Sequence, residues 1–153
     1  MEETAEVGTL VEMFNAGLAH AVPAMYALGV RLVEVAPGRA VGTVPMDGNA
    51  NHFGGMYAGA LFAVAEMLGG AVALASCDVN RFYPTVKDVQ IRYWRPAMSD
   101  VRATAELDIA SIEAIVREAE ATGKGEFTLD AVLTDASGAT VATTHGTYQI
   151  RAR

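Results

Sequence analysis

Residues 56–74 form an apolar run in which Glu66 is the only charged side chain. Alanine and glycine make up nine of the 19 residues of this run, and Gly69 and Gly70 stand side by side within it. Two consecutive glycines cost a helix about 2 kcal/mol relative to alanine. A helix with small residues on all sides suits close packing against a sheet that curves around it. The run therefore predicts a central helix of about five turns that begins near Tyr57 and ends before Cys77.

A membrane-spanning helix is the alternative interpretation of this run, because about 20 apolar residues are enough to cross a bilayer. The run is richer in Ala and Gly than in Leu, Ile and Phe, and no cluster of Lys or Arg flanks it. The segments around it resemble the strands of a soluble sheet. We therefore expect no membrane contact.

The N-terminal third of the chain predicts helices followed by a hairpin. Four apolar residues at helical spacing predict a short amphipathic helix: Leu10, Val11, Phe14 and Leu18. Pro23 is suited to begin a further helical turn. Two β-rich runs then meet at Pro37-Gly38, which is turn chemistry for a hairpin. The alternation slips between Leu32 and Val33, which indicates a β-bulge.

The part of the chain that follows the central helix predicts four strands and one further helix. In the first strand, Val89, Ile91 and Tyr93 alternate with Gln90, Arg92 and Trp94. The first of these two sets is expected to form the buried face of the strand. Residues 101–110 are expected to form the second strand. The helix after it is expected to have Ser111 as its N-cap and Gly123 as its stop, and Ser137-Gly138 is the turn between the last two strands. The fold class is α+β, in one domain over residues 1–153.

Composition limits the function classes. A length of 153 residues fits one domain with a sizeable core. The formal net charge of −7 argues against nucleic acid or an anionic membrane as the main partner. Cys77 is the only cysteine and the N-terminus lacks the pattern of a signal peptide. We therefore expect a cytoplasmic protein.

Glu66 is the residue that needs an explanation, because a buried carboxylate is unfavourable unless it is paired or protonated. One interpretation is a structural ion pair with an arginine of the sheet, and the other is a catalytic base or nucleophile. The turn that precedes the helix, at residues 51–55, favours the second. The free N–H groups of a helix start attract negative charge, and Glu66 follows about two turns later on the same helix.

At these residues the sequence resembles the hotdog-fold thioesterases of the phenylacetate-degradation (PaaI) type. The positions that carry the resemblance are Asn51, Gly54, Tyr57, Ala58, Gly59 and Glu66. The family has N-x-x-G-x-x-H-G-G there, with an acid seven residues after the last glycine. In this chain Tyr57 replaces the histidine, Ala58 replaces a glycine and Glu66 replaces an aspartate. The segment "GGMYAGALFAVAE" is most similar to a poorly characterised branch that is known only as a domain of unknown function.

The resemblance implies a curved antiparallel sheet wrapped around one long central helix, and hydrolysis of an acyl-coenzyme A thioester without metal or cofactor. Carried over, Glu66 activates water or attacks the carbonyl, the Gly59 N–H polarises the thioester oxygen, and Asn51 helps to position the reactants. We expect Gly59→Pro to remove this donor and Gly59→Ala to have a mild effect. Related proteins pair two sheets, so we also expect a homodimer or a dimer of dimers with the site between subunits.

Further residues are candidates for substrate contacts: Gly54, Tyr57, Ala58, His52, Arg92 and Arg95. His52 either assists the site or is an exposed turn residue. Arg81, Arg92 and Arg95 either hold the phosphates of coenzyme A or are solvated charges at strand ends. Four large apolar residues are expected in the core more than in an acyl pocket: Phe53, Met56, Phe62 and Met67. His20 and His145 lack partners at metal-ligand spacing, so no metal is assigned.

The function that these residues favour is an acyl-coenzyme A thioesterase. The main alternative is a noncatalytic hotdog domain that binds acyl-coenzyme A or acyl chains as a carrier or sensor. A hotdog dehydratase or isomerase is a third possibility, which would need an Asp/His pair that the sequence does not show.

Overall fold

The computed structural model describes residues 2–153, and their side chains from residue 8 onward. Four helices and six strands follow in chain order: α1 (Glu2–Ala21), α2 (Pro23–Ala27), β1 (Arg31–Ala36), β2 (Arg39–Val44), α3 (Ala58–Ser76), β3 (Phe82–Tyr93), β4 (Val101–Glu106), α4 (Ile109–Thr122), β5 (Lys124–Thr134) and β6 (Thr140–Ala152). The strands form one sheet in the order β1-β2-β4-β5-β6-β3. All neighbouring pairs are antiparallel, which confirms the α+β class.

The β1–β2 hairpin has the turn and the irregularity that the sequence predicts. Gly38 adopts a φ of 82°, in the left-handed region that glycine tolerates best, and a Cβ there would collide with the carbonyl oxygen of Leu107. The pairing register shifts between Leu32 and Glu34. Val33 is therefore the bulged residue, as the slip in alternation indicated.

Helix α3 lies in the curve of the sheet and contacts all six strands. Eleven of its 19 residues are buried, and small residues are required where strands come close. A Cβ on Gly69 would overlap the ring of Tyr148 on β6. The helix is long and apolar enough to cross a membrane, with a mean hydropathy of 1.8. Its position inside the sheet is that of a core helix.

The start of α4 differs from the sequence prediction. Asp108 is the N-cap, and its carboxylate accepts hydrogen bonds from Ser111 N at 2.8 Å and from Ser111 Oγ at 2.7 Å. Ser111 is thus the third helical residue and supports the cap from inside the helix. Gly123 ends the helix with a φ of 83°, as expected.

Strand β3 lies at the edge of the sheet, beside β6 only. Its pairing places Val89, Ile91 and Tyr93 on the side that faces α3, as the alternation predicts. The edge position leaves this face poorly covered: Val89 and Ile91 are half-buried and Tyr93 is 45% exposed. The expected burial of Tyr93 is therefore wrong, because the edge position of the strand leaves much of its ring uncovered.

Candidate active site

One stripe of α3 remains outside the core. The residues of this stripe recur every three or four positions and are exposed or half-buried: Ala58, Gly59, Phe62, Glu66, Gly70 and Leu74. Between Ala60 and Ala73 all other residues of the helix are buried. Glu66 and Gly59 therefore lie on the same face of the helix, and this face is the side that the sheet does not cover.

Glu66 is half-buried and has no cationic partner. Burial raises the pKa of its carboxyl group above the usual value, and burial is the only cause of this shift. Within the described side chains, residues 8–153, none forms an ion pair or hydrogen bond with this carboxylate. All buried side-chain oxygen and nitrogen atoms among these residues have a hydrogen-bond partner, so the Glu66 oxygens must reach solvent. Among the side chains of residues 8–153, a structural ion pair is therefore not formed within one copy of the chain.

Glu66 lines a cavity of about 780 Å³ between α1, α3 and β3. This volume lies within the range of roughly 300–1,000 Å³ that is typical of small-molecule sites. Most of the wall is apolar, and Glu66 is the only charged residue among the described residues that form it: Met13, Phe14, Gly17, Leu18, Ala21, Val22, Met25, Glu66, Met67, Gly70, Leu74, Pro84, Thr85, Val86 and Tyr148. The carboxylate thus lies in the wall of a largely apolar cavity.

Tyr148 is a residue of this site that the sequence analysis missed. Its hydroxyl donates to the backbone carbonyl of Glu66 at 3.3 Å, and its ring packs over Gly69. Burial raises the pKa of the Tyr148 hydroxyl, and the nearby Glu66 carboxylate raises it further. The inward position of Tyr148 on β6 was the available signal, but only the strand order shows that it meets α3 at Glu66.

The turn before α3 is organised by Asn51. Its Oδ1 accepts from Phe53 N at 2.9 Å and from Gly55 N at 3.1 Å, and its backbone N–H donates to Gly55 O at 2.7 Å. Gly54 has a φ of 84°, which closes the turn. The Asn51 side chain therefore has hydrogen-bond partners within its own turn in this structure.

The first N–H groups of α3 are free. Ala60 N and Leu61 N donate to Tyr57 O, whereas within residues 2–153 the N–H groups of Ala58 and Gly59 have no acceptor. Two such donors at the positive end of a long helix suit an oxygen that gains negative charge during a reaction.

The Tyr57 ring lies over Gly59. An alanine Cβ at Gly59 would overlap the outer ring atoms of Tyr57, so a mild effect of Gly59→Ala requires the ring to move. Tyr57 is 54% exposed and can move without disturbing the core. Tyr93 from the end of β3 donates to Ala58 O at 3.0 Å. Tyr57, Ala58 and Gly59 therefore form one cluster with β3.

The remaining candidates lie away from Glu66. Arg92 is on the face of the sheet opposite α3, with its guanidinium 4.1 Å from the centre of the Trp94 ring. Arg95 follows β3 and is exposed. The segment around Ala97 contacts the helix start, because Met56 N donates to Ala97 O at 2.8 Å. Arg95 does not line the Glu66 cavity. It lies two residues before Ala97, which contacts the segment just before α3.

The turn itself exposes His52 and Phe53. Their rings pack against each other with centroids 4.2 Å apart, and Phe53 is 85% exposed. The expected place of Phe53 in the core is wrong, because the tight turn directs it outward. Met56 and Met67 are buried as expected, whereas Phe62 is 37% exposed on the α3 stripe.

The part of the chain that the structure describes contains no group of three or more His, Cys, Asp or Glu side chains placed to hold a metal ion. His145 instead pairs with Asp130 at 2.6 Å on the outer face of the sheet.

Residues 11–150 match the family described as "Domain of unknown function (DUF4442)". The chain belongs to this family. No curated protein matches this DUF4442 chain.

Solved structures resemble the DUF4442 chain over nearly its whole length. A Pseudomonas aeruginosa protein of unknown function, named a probable thioesterase, has a TM-score of 0.83 at 40% identity and covers 93% of this chain and 96% of its own. A Chlorobaculum tepidum protein of unknown function has a TM-score of 0.84 at 18% identity and covers 94% of each chain. A Haemophilus influenzae thioesterase has a TM-score of 0.73 at 16% identity and covers 93% of this chain and 90% of its own. These likenesses confirm the hotdog fold and support a thioesterase-type function for this DUF4442 chain.

Proposed function

We propose that the chain hydrolyses acyl-coenzyme A thioesters, with Glu66 as general base or nucleophile and the Gly59 N–H as the group that polarises the carbonyl. The observation that carries this proposal is the Glu66 carboxylate, a half-buried charge without a cation in the wall of an apolar cavity. A carboxylate that has lost part of its hydration and has no partner is unfavourable for the fold. A perturbed acid in a cleft is instead typical of a functional site.

The chemistry follows from this environment. A carboxylate with a raised pKa is a stronger base than one in water, and its basicity lies closer to neutral pH. As a base, Glu66 takes a proton from water while the water oxygen bonds to the carbonyl carbon. The C–S bond then breaks, and the proton passes to the leaving thiolate. As a nucleophile, a Glu66 oxygen bonds to the carbonyl carbon while the C–S bond breaks, and the leaving thiolate takes a proton from water. Hydrolysis of the resulting anhydride by a second water releases the acid and restores the Glu66 carboxylate.

One copy of the chain cannot complete this site. Glu66 and Gly59 are about 10 Å apart along α3, since each residue adds about 1.5 Å. The oxyanion must lie about 3 Å from its donor, and the base about 3 Å from the attacking water. Helix N–H groups also point toward the N-terminus, away from Glu66. A single carbonyl therefore cannot meet both groups of one helix.

A second copy resolves this geometry. In a twofold dimer each contact occurs twice with the roles exchanged. If the α3 stripes of two copies cross in opposite directions near Phe62, Gly59 of each copy comes to face Glu66 of the other. Phe62 is three residues from Gly59 and four from Glu66, close to the midpoint. Its 37% exposed ring, together with the exposed edge strand β3, supports self-association. We propose a homodimer or a dimer of dimers.

The substrate contacts belong to the same proposal. The turn residues His52 and Gly54, with Asn51 as their organiser, and the cluster of Tyr57 and Ala58 surround the carbonyl end of the substrate. Arg92 and Arg95 contribute positive charge for the phosphates of coenzyme A. The reaction requires no metal or cofactor. The lone Cys77 and the net charge of −7 favour a cytoplasmic location without nucleic acid or membrane partners.

A panel of acyl-coenzyme A esters, assayed for free thiol, tests the function. We expect release by the wild type and a loss of at least about a hundredfold for Glu66→Gln, which keeps the shape but removes basicity. Glu126→Gln, on the outer face of β5, is the matched control and should retain activity. Binding of the esters without release by the wild type would favour the alternative, a noncatalytic acyl-binding domain, for which the apolar cavity is the supporting observation.

A further inference from the structure

Helix α1 forms one wall of the cavity that contains Glu66. Met13, Phe14, Gly17, Leu18 and Ala21 of this helix face Glu66, Gly70 and Leu74 of α3 across the cavity, together with Pro84 and Val86 of β3. Apart from Glu66, these residues make the wall apolar on all three elements. A ligand that extends from Glu66 into the cavity therefore meets a wall with almost no hydrogen-bonding groups.

The cavity follows the C-terminal half of α3. Its α3 residues begin at Glu66 and end at Leu74, which corresponds to about 12 Å. An extended chain advances about 1.1–1.2 Å per bond, by analogy with the extended backbone, so about ten bonds fit along this wall. A second cavity of about 220 Å³ adjoins the first and shares Met13, Phe14 and Leu74 with it. Its other lining residues are also apolar: Leu10, Leu32, Val35, Ala71, Ala75 and Val79.

We propose that the acyl group bound here is an unbranched aliphatic chain of about ten carbons or more, which runs from Glu66 beneath α1 toward Leu74. This inference deepens the proposed function and rests on it for the position of the thioester carbonyl. Charge supports it, because Glu66 is the only charged residue among the described residues of the wall and the two polar ones, Thr85 and Tyr148, are uncharged at neutral pH. Short acyl groups would leave most of this wall in contact with water.

Gly17 gives a direct test of the role of α1. A Cβ on Gly17 would meet no atom within 4 Å, so a leucine there extends into open space at the cavity wall without strain. Gly8 on the same helix is equally unhindered but does not line the cavity. Both substitutions replace an exposed helical glycine and should raise Tm slightly, so a loss of binding by Gly17→Leu cannot result from unfolding.

The experiment measures binding of S-butyl- and S-decyl-coenzyme A thioethers, which cannot be hydrolysed, to the full-length chain by calorimetry. Each buried methylene should tighten binding up to about fourfold, so we expect at least about 50-fold tighter binding of the decyl probe by the wild type. Gly17→Leu should weaken decyl binding about tenfold or more and butyl binding much less. Gly8→Leu should match the wild type with both probes.

Equal affinity of the wild type for the two probes, or equal behaviour of Gly17→Leu and Gly8→Leu, would overturn the inference. Thiol release from decanoyl-coenzyme A, measured in parallel, separates this outcome from failure of the proposed function. Release without chain-length discrimination contradicts the inference alone. Discrimination between the probes without release from any ester supports the acyl site and contradicts the hydrolase.

Discussion

The pKa of Glu66 is shifted for a different reason from the pKa values of Glu34 and Glu126. Burial alone raises its pKa, whereas hydrogen bonds from Gln149 and Lys87 lower the pKa of Glu126. A hydrogen bond from Arg39 likewise lowers the pKa of Glu34. A sequence shows that Glu66 is a lone acid in an apolar run, but it does not show whether an arginine reaches it. The structure supplies that missing fact for one copy of the chain.

The pH dependence of stability tests the state of Glu66. Its pKa is raised on folding, so the folded state binds more protons and stability falls as pH rises through the range between the unfolded and folded pKa values. Glu66→Gln should therefore raise Tm by a few degrees at pH 7, and this gain should shrink as the pH falls and the wild-type carboxyl becomes protonated. Thermal denaturation of both proteins from pH 7 to pH 4.5 measures the difference.

Glu126→Gln serves as the control of opposite sign. Because folding lowers the pKa of Glu126, its carboxylate stabilises the fold at pH values above its pKa in the unfolded chain. This stabilisation is lost as the pH falls through its pKa in the folded protein. The variant should thus be less stable than the wild type at pH 7, with a difference that vanishes in acid. A loss of stability for Glu66→Gln at pH 7 as well would show that Glu66 has a structural partner.

The Gly59 N–H needs a test that leaves Tyr57 in place. Alanine at Gly59 would displace the Tyr57 ring, and proline would disfavour the helical conformation of Ala58. Replacing Gly59 with glycolic acid, which turns one amide into an ester, removes the N–H without adding a side chain, and it also weakens Ala58 O as the acceptor of the Tyr93 hydroxyl. We expect the rate of thiol release to fall about 10² to 10³-fold with little change in Tm, because this N–H has no acceptor in the described chain.

Ala58 offers the matched control for this replacement. Its N–H is also free within residues 2–153, and lactic acid at this position removes it in the same way. Similar rates for the two esters and the wild type would show that neither donor contacts the reacting oxygen.

At the scale of elements, the adjacent glycines of α3 have different roles. Gly69 lies beneath the Tyr148 ring, which leaves no room for a methyl group, whereas the nearest atom to a Cβ on Gly70 is Pro84 Cγ at 4.0 Å. Gly69 therefore allows β6 to approach the helix. Gly70 instead leaves space in the cavity one turn after Glu66.

Alanine substitutions separate these roles. Gly69→Ala should destabilise the protein by about 1–3 kcal/mol through overpacking. Gly70→Ala should stabilise it by about 0.5–1 kcal/mol, since alanine is the better helix former. Urea denaturation of the two variants measures both values. Equal effects would mean that Tyr148 moves away from Gly69 at little cost.

Local patterns in the sequence predicted most of these elements. The extent of α3, the hairpin at Pro37-Gly38 and its bulge each depend on residues close together in the chain, and the structure has all three. Two features depend on strand order instead: the contact of Tyr148 with Gly69, and the exposure of Tyr93 on an edge strand. Such features require the tertiary arrangement, which periodicity does not contain. The cap at Asp108 was missed because both Asp108 and Ser111 are suitable N-cap residues.

At the scale of the whole molecule, the proposed site requires a second copy of the chain. The α3 stripe and the β3 edge are both open in the single chain, and Glu66 and Gly59 are too far apart on one helix to act on one carbonyl. A site shared across a twofold axis uses both open surfaces.

A charge on the stripe should separate the copies. Phe62→Lys is expected to shift the protein from dimer to monomer in sedimentation at micromolar concentration, because the ammonium groups of two copies would meet in an apolar contact. Thiol release should fall with dissociation, while circular dichroism remains that of a folded protein. Val33→Lys, which is 43% exposed on β1 at the opposite edge of the sheet, should leave the assembly intact. A Phe62→Lys dimer with full activity would place the interface elsewhere.

Complementation between two inactive variants tests the shared site most directly. Glu66→Gln and the Gly59 ester are each inactive as homodimers, but a mixed dimer has one site with both Glu66 and the Gly59 N–H. After equal amounts are unfolded together and refolded, random pairing makes half of the dimers mixed, with one of two sites intact. A site shared between two copies predicts recovery of about one quarter of the wild-type rate of thiol release. A mixture that remains as inactive as its parents, with mixed dimers shown by mass spectrometry, would contradict a site shared between two copies.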